Sequence, residues 1–291
     1  MLVYLNGAFV PKAEAHLPVD DRGFLFGDGV YEVTRAVDGR LFEVERHLER
    51  LRNGAAALAL PLTDAMVAEL PAIWERLLAA NGLTAGEAMV YLQVTRGAAP
   101  RTHQFPPAGT PPTVFASASA LLPPDAVRAR GAAIITQPDI RWARCEIKSV
   151  NLLPNVLAKQ AAAEAGAFEA VFVREDGTVT EGAQTSAFAI IDGTLRTHPL
   201  TPRILPSVTR AVVLELAREL GIPTSEEAFD RAAMLAADEV FVASTTADVM
   251  PVVRVDGMAI GDGAPGPRTR ALADAIAARI GRAQAPATAG A

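Results

Sequence analysis

Residues 139–160 read D-I-R-W-A-R-C-E-I-K-S-V-N-L-L-P-N-V-L-A-K-Q, an extended segment that ends at Lys148 and leads into an apolar helical pattern. Lysine is scarce in the chain, which contains Lys12, Lys148 and Lys159 and no other lysine. Lys12 lies beside a predicted hairpin and Lys159 on the polar face of a predicted helix, so both are expected to be solvated amines. If the protein uses amine chemistry, Lys148 is the favoured candidate, although periodicity leaves a structural role open.

Composition excludes several classes of protein. The 291 residues are enough for one large α/β unit or two lobes. The 27 basic and 33 acidic side chains give a net charge of −6, which argues against nucleic-acid binding. The single cysteine, Cys145, excludes an internal disulfide and a zinc site of several thiolates, so a reducing, cytoplasmic compartment is predicted.

No targeting or membrane segment is predicted. The N-terminus lacks a basic region followed by a long apolar stretch, and Asn6-Gly7 is typical of a hairpin turn. The uncharged stretch at 104–124 contains six prolines, which would interrupt a membrane helix. We therefore expect a chain that starts directly with its folded part.

The order of elements predicts two α/β lobes. Strand and helix patterns alternate through residues 1–120, with Asp38-Gly39 as a second hairpin turn. The proline-containing segment 121–126 is the predicted linker. A larger lobe is predicted over 127–282, including helices at 225–238 and after Pro267, and residues 283–291 are predicted to fray.

Common nucleotide-binding, hydrolase and metal-site motifs are either absent from the sequence or stand in the wrong context. The glycines at 261–266 match G-x-G-x-x-G, but they lie near the C-terminus outside a β-α-β unit, so an ordinary turn is favoured. Lys148-Ser149 is not a phosphate-binding loop, because residues 142–147 contain no glycine. The chain has no G-x-S-x-G or H-E-x-x-H sequence, and its four scattered histidines predict no metal site.

The lysine segment resembles the cofactor-binding lysine region of fold-type IV pyridoxal-phosphate aminotransferases, and within them most resembles the D-amino-acid aminotransferases. Matching stretches are DRGFLFGDGVYEV at 21–33, HLERL at 47–51, QVTRG at 93–97, PRTHQFP at 100–106, TVTEG at 178–182, RILPSVTR at 203–210 and VASTT at 242–246. The resemblance implies a two-lobed α/β fold with pyridoxal 5′-phosphate in the interdomain cleft and a homodimer as the working unit. It also implies ping-pong transfer of an amino group from a D-amino acid to a 2-oxo acid.

The resemblance also implies cofactor-binding roles for particular residues. Lys148 is implied to hold the cofactor covalently and to move protons, and Glu181 to pair with the protonated pyridine nitrogen. Without the resemblance, Glu181 would be an exposed hairpin residue. Leu205 is implied to pack on the ring, or to be a plain core leucine. The implied phosphate ligands are Arg50, Val208 and Thr209 at a helix start, and Ser244 and Thr245.

The substrate carboxylate is implied to bind to Tyr31, Arg101 and His103 through charge-assisted hydrogen bonds. We expect Arg101 and His103 to serve the site of the partner subunit. In isolation, both would be ordinary residues of a solvated loop. The Arg-x-His pattern favours D-amino acids over the alternative within the fold, a branched-chain L-amino-acid aminotransferase, with aminodeoxychorismate lyase behind it. A non-catalytic small-molecule-binding dimer is the alternative from another class.

Two stretches depart from the family pattern. Residues 183–186 read A-Q-T-S, where D-specific relatives are often richer in serine, so hydroxyl contacts to the cofactor or substrate are in doubt there. Ser207 stands where the family commonly has glycine, and its side chain could alter how closely the backbone approaches a phosphate.

Overall fold

The structure is a computed structural model that describes residues 1–282, so the predicted frayed tail at 283–291 lies outside it. The chain forms two compact units. The first contains Met1–Leu122 and Ala143–Leu152, and the second contains Pro123–Trp142 and, of the described residues, 153–282. The change of unit after Leu122 falls inside the predicted linker at 121–126. The second unit, however, lacks residues 143–152, which the sequence assigned to it.

Hydrogen bonds and core packing explain why residues 143–152 belong to the first unit. The backbone N–H of Tyr31 donates to the Lys148 carbonyl at 3.0 Å, and the N–H of Val150 donates to the Gly29 carbonyl at 3.1 Å. Between them, Ile147 is 4% exposed and joins the first unit's hydrophobic core. The lysine segment is therefore paired with a strand that lies more than a hundred residues earlier.

The first unit is built on one antiparallel sheet of six strands in the order β2-β1-β6-β5-β3-β4. Asn6-Gly7 connects β1 to β2 and Asp38-Gly39 connects β3 to β4, and all four residues have positive φ, so both predicted hairpins are confirmed. The elements are β1 Leu2–Leu5, β2 Ala8–Pro11, a 3-10 turn Lys12–Glu14, α1 Arg22–Phe26, β3 Gly29–Val37, β4 Arg40–Leu41, α2 Val44–Ala57, α3 Asp64–Ala80, β5 Glu87–Thr95 and β6 Thr113–Ala120.

Helices α2 and α3 cover this sheet with their apolar faces. Apolar residues recur at helical spacing on both helices, and the Thr63 side chain caps α3 by accepting from the Met66 N–H at 3.2 Å. The buried residues from helices and sheet include Leu48, Leu51, Leu70, Trp74, Leu77, Val90 and Leu92. This packing fixes the positions of β3 and α2, which carry the predicted site residues Tyr31 and Arg50.

The second unit contains a mixed sheet of nine strands. Its main path is β12-β11-β10-β13-β14-β7-β8-β9, with β15 paired to β14, and a further pairing of β9 with β10 closes a ring of six strands. The elements are α4 Asp125–Arg130, β7 Ala132–Pro138, α5 Leu153–Glu164, β8 Glu169–Val173, β9 Val179–Gly182, β10 Ser186–Ile191, β11 Thr194–Thr197, α6 Val208–Glu219, β12 Thr224–Ser225, α7 Arg231–Leu235, β13 Glu239–Ser244, β14 Asp248–Val255, β15 Met258–Ala259 and α8 Pro267–Ile280.

One predicted helix is much shorter than expected. The pattern at 225–238 predicted a helix, but α7 contains five residues and begins after Asp230, whose side chain accepts from the Ala233 N–H at 2.7 Å. Before it, the Phe229 carbonyl accepts from the Val179 N–H at 2.9 Å. Tertiary backbone pairing therefore outweighs helix propensity before α7. The helix predicted after Pro267 is confirmed as α8.

Within residues 1–282, no helix combines the length and apolar character needed to cross a bilayer. The same residues contain no group of three His, Cys, Asp or Glu side chains placed to hold a metal ion.

Candidate active site

The predicted site residues are distributed over both units. Those in the first unit are Tyr31, Arg50, Arg101, His103 and Lys148, and those in the second are Glu181, Leu205, Val208, Thr209, Ser244 and Thr245.

Lys148 lies against an aromatic side chain. Its Nζ is 4.1 Å from the centroid of the Tyr31 ring, and the side chain is half-buried. Tyr31 in turn stacks on Tyr91 with ring centroids 5.8 Å apart. Burial, with a smaller contribution from Tyr31, raises the pKa of Tyr91 to about 12, so its hydroxyl stays neutral and donates to the Gln93 side chain at 2.7 Å. The half-buried amine therefore lies beside a stack of two tyrosine rings.

Arg50 is held in a buried ion pair. From α2 its Nε donates to Oε1 of Glu32 on β3 at 2.7 Å, and its Nη2 donates to Oε2 at 2.7 Å. His47, one turn earlier on α2, brings Nδ1 to 2.9 Å from the same Oε2. Arg50 is 8% exposed, and Glu32 and His47 are each 1% exposed. This geometry fixes the direction of the guanidinium that the sequence predicts as a phosphate ligand.

The charges in this cluster are strongly shifted by their surroundings. Burial raises the pKa of Glu32, but the charge and hydrogen bonds of Arg50, with help from His47, outweigh burial and bring it to about 2. Burial lowers the pKa of His47, although its hydrogen bond to Glu32 acts in the opposite direction. The cluster at neutral pH is therefore an ionised carboxylate with its arginine partner and a neutral histidine.

Glu32 and His47 escaped prediction from the sequence. Both lie inside the quoted stretches G-V-Y-E-V and H-L-E-R-L, and each faces the core. A glutamate within an otherwise apolar strand was the available signal, because a buried carboxylate needs a cationic partner.

Glu181 lies on β9 in the second unit and is 6% exposed, not an exposed hairpin residue. Its carboxylate accepts from the Leu205 backbone N–H at 3.1 Å and pairs with Arg141. Burial raises the pKa of Glu181, and the Arg141 charge opposes that shift. The Leu205 backbone thus contacts Glu181, while packing of its side chain on a cofactor ring stays a prediction.

Arg141 is the further residue that the sequence reasoning missed. Its Nε and Nη2 donate to the two oxygens of Asp139, each at 2.9 Å, and its guanidinium lies 4.5 Å from the centroid of the Phe172 ring. Asp139 also accepts from the Thr180 hydroxyl at 2.8 Å. Asp139 and Arg141 belong to the segment quoted first above, but nothing in the local pattern indicates which distant carboxylate pairs with the arginine.

The start of α6 has the features of an anion site. Val208 and Thr209 are each 5% exposed, and their N–H groups are the first two of a twelve-residue helix, ahead of its repeating hydrogen bonds. Ser207, the departure from the family glycine, caps this helix by accepting from the Arg210 N–H at 3.1 Å. The Ser244 hydroxyl accepts from the Ala247 N–H at 3.2 Å and so serves the local backbone, with Thr245 directly after it.

The A-Q-T-S segment at 183–186 forms a tight turn that leads into β10. The Gly182 N–H donates to the Thr185 carbonyl at 2.7 Å, and the Asn155 side chain donates to the Ala183 carbonyl at 2.8 Å. Backbone hydrogen bonds of this kind do not depend on serine side chains.

Arg101 and His103 lie on the exposed loop between β5 and β6 and meet around one aromatic ring. The Arg101 guanidinium is 5.2 Å from the centroid of Phe26, and the His103 ring is 5.6 Å from it. Among residues 1–282, no hydrogen bond or ring contact joins either of them to Tyr31 of the same chain. Arg101 and His103 are thus brought together around Phe26, without a hydrogen bond or ring contact to Tyr31 among the described residues.

The donor set suits pyridoxal phosphate. Lys148 offers an amine, Glu181 a buried carboxylate for a protonated ring nitrogen, and the start of α6 offers backbone N–H groups for a phosphate. The residues present therefore fit the cofactor's three polar ends.

Most of the chain matches the model of one known protein family. The model of the amino-transferase class IV family matches residues 29–255. The chain belongs to this family. Class IV aminotransferases bind pyridoxal phosphate, and the chain is a pyridoxal-phosphate-dependent aminotransferase of fold type IV.

This class IV chain is similar to individual relatives over almost its whole length. It is 44% identical to D-alanine aminotransferase of Bacillus licheniformis, over 95% of this chain and 96% of that protein. Identity to the D-alanine aminotransferase of Staphylococcus haemolyticus is also 44%, over 93% and 94% of the two chains.

Solved structures share the fold at lower identity. The branched-chain amino acid aminotransferase from Escherichia coli superimposes with a TM-score of 0.83 at 27% identity, covering 94% of this chain and 92% of that one. The T.th. branched-chain amino acid aminotransferase complexed with N-(5'-phosphopyridoxyl)-L-glutamate has a TM-score of 0.84 at 30% identity, covering 97% and 95%.

Proposed function

We propose that this class IV aminotransferase transfers the amino group of a D-amino acid, such as D-alanine, to a 2-oxo acid, such as 2-oxoglutarate. The observation that carries the proposal is the 42–44% identity to several proteins named D-alanine aminotransferase over more than nine-tenths of the chain. The Arg101-x-His103 pattern, which resembles that of D-amino-acid aminotransferases, lies on an exposed loop and agrees with this proposal.

In this reaction, Lys148 holds the cofactor covalently and, once released by substrate, its Nζ takes the proton from the substrate Cα. When bound, pyridoxal phosphate supplies the carbon that accepts the amino group and an electron-poor ring that stabilises negative charge at Cα. Covalent attachment needs a nucleophilic amine within reach of the cofactor, and the Tyr31 ring 4.1 Å from Nζ restricts where this half-buried amine lies. Proton transfer by a positioned side chain of this kind accelerates a reaction by roughly 10²–10⁴-fold.

Glu181 accepts a hydrogen bond from the protonated pyridine nitrogen in this proposal. The Arg141 charge beside Glu181 opposes the rise of its pKa caused by burial and so favours the ionised carboxylate. Leu205, whose N–H already orients that carboxylate, packs on the ring face.

The phosphate is proposed to bind to the Val208 and Thr209 N–H groups at the positive end of α6, with Arg50, Ser244 and Thr245 as further ligands. Glu32 holds the direction of Arg50, so the arginine needs no reordering when the phosphate arrives.

Tyr31, Arg101 and His103 are proposed to bind the substrate carboxylate. Because Arg101 and His103 contact Phe26 and not the Tyr31 of their own chain, we propose a homodimer in which they serve the site of the other subunit. With one cysteine in 291 residues, a cytoplasmic location suits the chain.

The alternative is a branched-chain L-amino-acid aminotransferase, which the names of the solved structures favour at 27–30% identity. A panel of paired D- and L-amino acids, scored by bleaching of the yellow cofactor, separates the two. Bleaching by D-alanine and not by L-leucine is expected, and the reverse would favour the alternative. A protein that stays colourless after pyridoxal phosphate is supplied would favour a non-catalytic binder.

A further inference from the structure

The D-R-G triplet at residues 21–23 has no role in the reaction proposed above, although two of its side chains are almost fully buried. Asp21 is 1% exposed and Arg22 is 3% exposed. Gly23 is packed so closely that a side chain there would clash with Thr95 at the end of β5. A charged pair at this depth needs partners, and its partners lie around the loop that carries Arg101 and His103.

Asp21 fastens the two ends of that loop. Its Oδ2 accepts from the Thr95 hydroxyl at 3.0 Å and from the Thr113 hydroxyl at 2.6 Å. Thr95 is the last residue of β5 and Thr113 the first of β6, so one carboxylate oxygen bridges the points where the loop leaves and rejoins the sheet. Its Oδ1 accepts from the Gly23 N–H at 2.8 Å and starts α1.

Arg22 fastens the middle of the loop. Its Nη1 donates to the Thr102 carbonyl at 2.7 Å and to the Gln104 carbonyl at 3.3 Å. These two carbonyls stand on either side of His103, and Thr102 directly follows Arg101. The orientations of both predicted carboxylate ligands therefore depend on peptide groups that one guanidinium holds.

The other end of the Arg22 guanidinium is anchored to the sheet. Its Nε donates to Oδ2 of Asp28 at 2.9 Å, and Asp28 is also held by Arg96 through Nε at 2.7 Å and Nη2 at 3.0 Å. Arg96 follows β5 directly and lies 3.6 Å from the centroid of the Phe105 ring. Arg22 is thus a rigid bridge from a fixed carboxylate to a loop that lacks regular secondary structure.

The same turn of helix also supplies the aromatic ring under the two ligands. Phe26 ends α1, which Arg22 begins, and its ring contacts Arg101 and His103 at the distances given above. The Arg22 guanidinium lies 4.8 Å from the centroid of this ring as well. Residues 21–26 therefore contact the loop at its ends, at its middle and beneath the side chains of Arg101 and His103.

We propose that Arg22 is a positioning residue for the α-carboxylate of the substrates, acting by holding the Thr102 and Gln104 carbonyls so that Arg101 and His103 point correctly. The proposal rests on the carboxylate-binding role given to that pair under the proposed function. It assigns no proton transfer to Arg22 and no contact with the cofactor.

The test compares Arg22→Met with Arg76→Met, both as holoenzymes. Arg76 is an exposed arginine of the same unit whose guanidinium lies 4.0 Å from the centroid of the Phe9 ring, so its substitution removes a similar arginine–aromatic contact away from the loop. For Arg22→Met we expect KM for D-alanine and for 2-oxoglutarate to rise roughly 10- to 100-fold, with kcat within about twofold of wild type. The inhibition constant of propionate, a bare carboxylate, should rise by a similar factor, and the affinity for pyridoxal phosphate should not change.

A second readout does not depend on activity. Trypsin cleaves after arginine, and loss of the tether should speed cleavage of the Arg101–Thr102 bond by at least about tenfold, measured by mass spectrometry, while Arg76→Met cleaves like wild type. Equal cleavage of Arg22→Met and wild type, or an unchanged KM, would overturn the proposal. The proposal would also be overturned if kcat and kcat/KM of Arg22→Met fell by the same factor while KM and the inhibition constant of propionate stayed unchanged.

If Arg22→Met does not fold, Arg22→Lys decides the matter. Lysine keeps a positive charge beside Asp28 but cannot reach Asp28 and two carbonyls at once, so KM should rise with the fold preserved. If wild type transaminates neither D- nor L-amino acids, the proposed function fails, and the cleavage rates then report whether Arg22 holds the loop.

Discussion

Replacing Glu32 by glutamine should destabilise the first unit by an amount that follows from its buried ion pair. The fall of the Glu32 pKa from 4.5 to about 2 corresponds to roughly 3 kcal/mol, because each tenfold change in an equilibrium constant is about 1.4 kcal/mol. Glutamine keeps the shape but leaves the Arg50 charge, 8% exposed, without its ionised partner. Breaking a buried pair from one side costs about 3–5 kcal/mol in other proteins, which agrees with this value.

The difference in free energy of unfolding between wild type and Glu32→Gln should depend on pH. A carboxyl whose pKa is lower in the folded state than in the unfolded state stabilises the folded protein. This stabilisation is complete at pH values above the unfolded pKa, and it is lost as the pH falls towards the folded pKa. For Glu32 the window runs from pH 4.5 down to about 2. The difference between wild type and Glu32→Gln should therefore be about 3 kcal/mol at pH 7 and about half of that near pH 3. Because Glu32 raises the pKa of His47, the same comparison in a His47→Gln background separates the titration of His47 from that of Glu32.

The assay is urea unfolding of the apoprotein followed by tryptophan fluorescence. Of the two tryptophans, Trp74 is 1% exposed in the core of the first unit, so a Trp142→Phe background makes the signal report that unit. Asp64→Asn is the control, because the Arg52–Asp64 pair is 3.5 Å apart with Asp64 95% exposed, and such pairs contribute about 0–1 kcal/mol. A loss below about 1 kcal/mol at pH 7, or a difference that is the same at pH 7 and pH 3, would refute the reasoning.

Substitutions at Lys148, Glu181 and Arg101 test the proposed reaction. Lys148→Ala should abolish transamination between D-alanine and 2-oxoglutarate, since the tether and the proton carrier are both lost, and steady-state turnover without added amines would contradict this. Glu181→Gln should slow Cα deprotonation in stopped-flow measurements of cofactor absorbance while the cofactor stays bound, and an unchanged rate would remove Glu181 from the mechanism. Arg101→Ala should lower kcat/KM roughly 10- to 150-fold through lost carboxylate binding. A purified heterodimer of Lys148→Ala and Arg101→Ala subunits should regain about half of wild-type activity if Arg101 serves the other subunit, because one site is then intact. Activity no higher than that of the Arg101→Ala homodimer would show that Arg101 serves its own subunit.

Local signals predicted much of the fold. Both hairpins followed from Asn-Gly and Asp-Gly pairs, and α8 from Pro267 ahead of an apolar repeat. The helix predicted at 225–238 failed because backbone pairing with residues 177–179 is a long-range effect that no local pattern carries.

The same distinction applies to the candidate site. Roles for Lys148 and Glu181 could be proposed because the sequence around each resembles the family pattern, whereas local periodicity left Lys148 open and indicated an exposed Glu181. The ion-pair partners could not, because Glu32 lies 18 residues from Arg50 and Arg141 lies 40 residues from Glu181, and pairing over such separations depends on sheet topology. The burial of Glu181 likewise depends on the pairing of β9 with β8 and β10.

The return of residues 143–152 to the first unit has a consequence for the order of events on the ribosome. Domains generally fold as they emerge, N-terminal part first. Here the first unit lacks Ile147 and the backbone partners of Tyr31 and Gly29 until residue 152 has been synthesised, thirty residues beyond Leu122. A nascent chain that pauses after Leu122, where the first unit is interrupted, has an incomplete hydrophobic core and lacks Lys148. Completion of the first unit and the appearance of the lysine that would bind the cofactor are thus one event during translation.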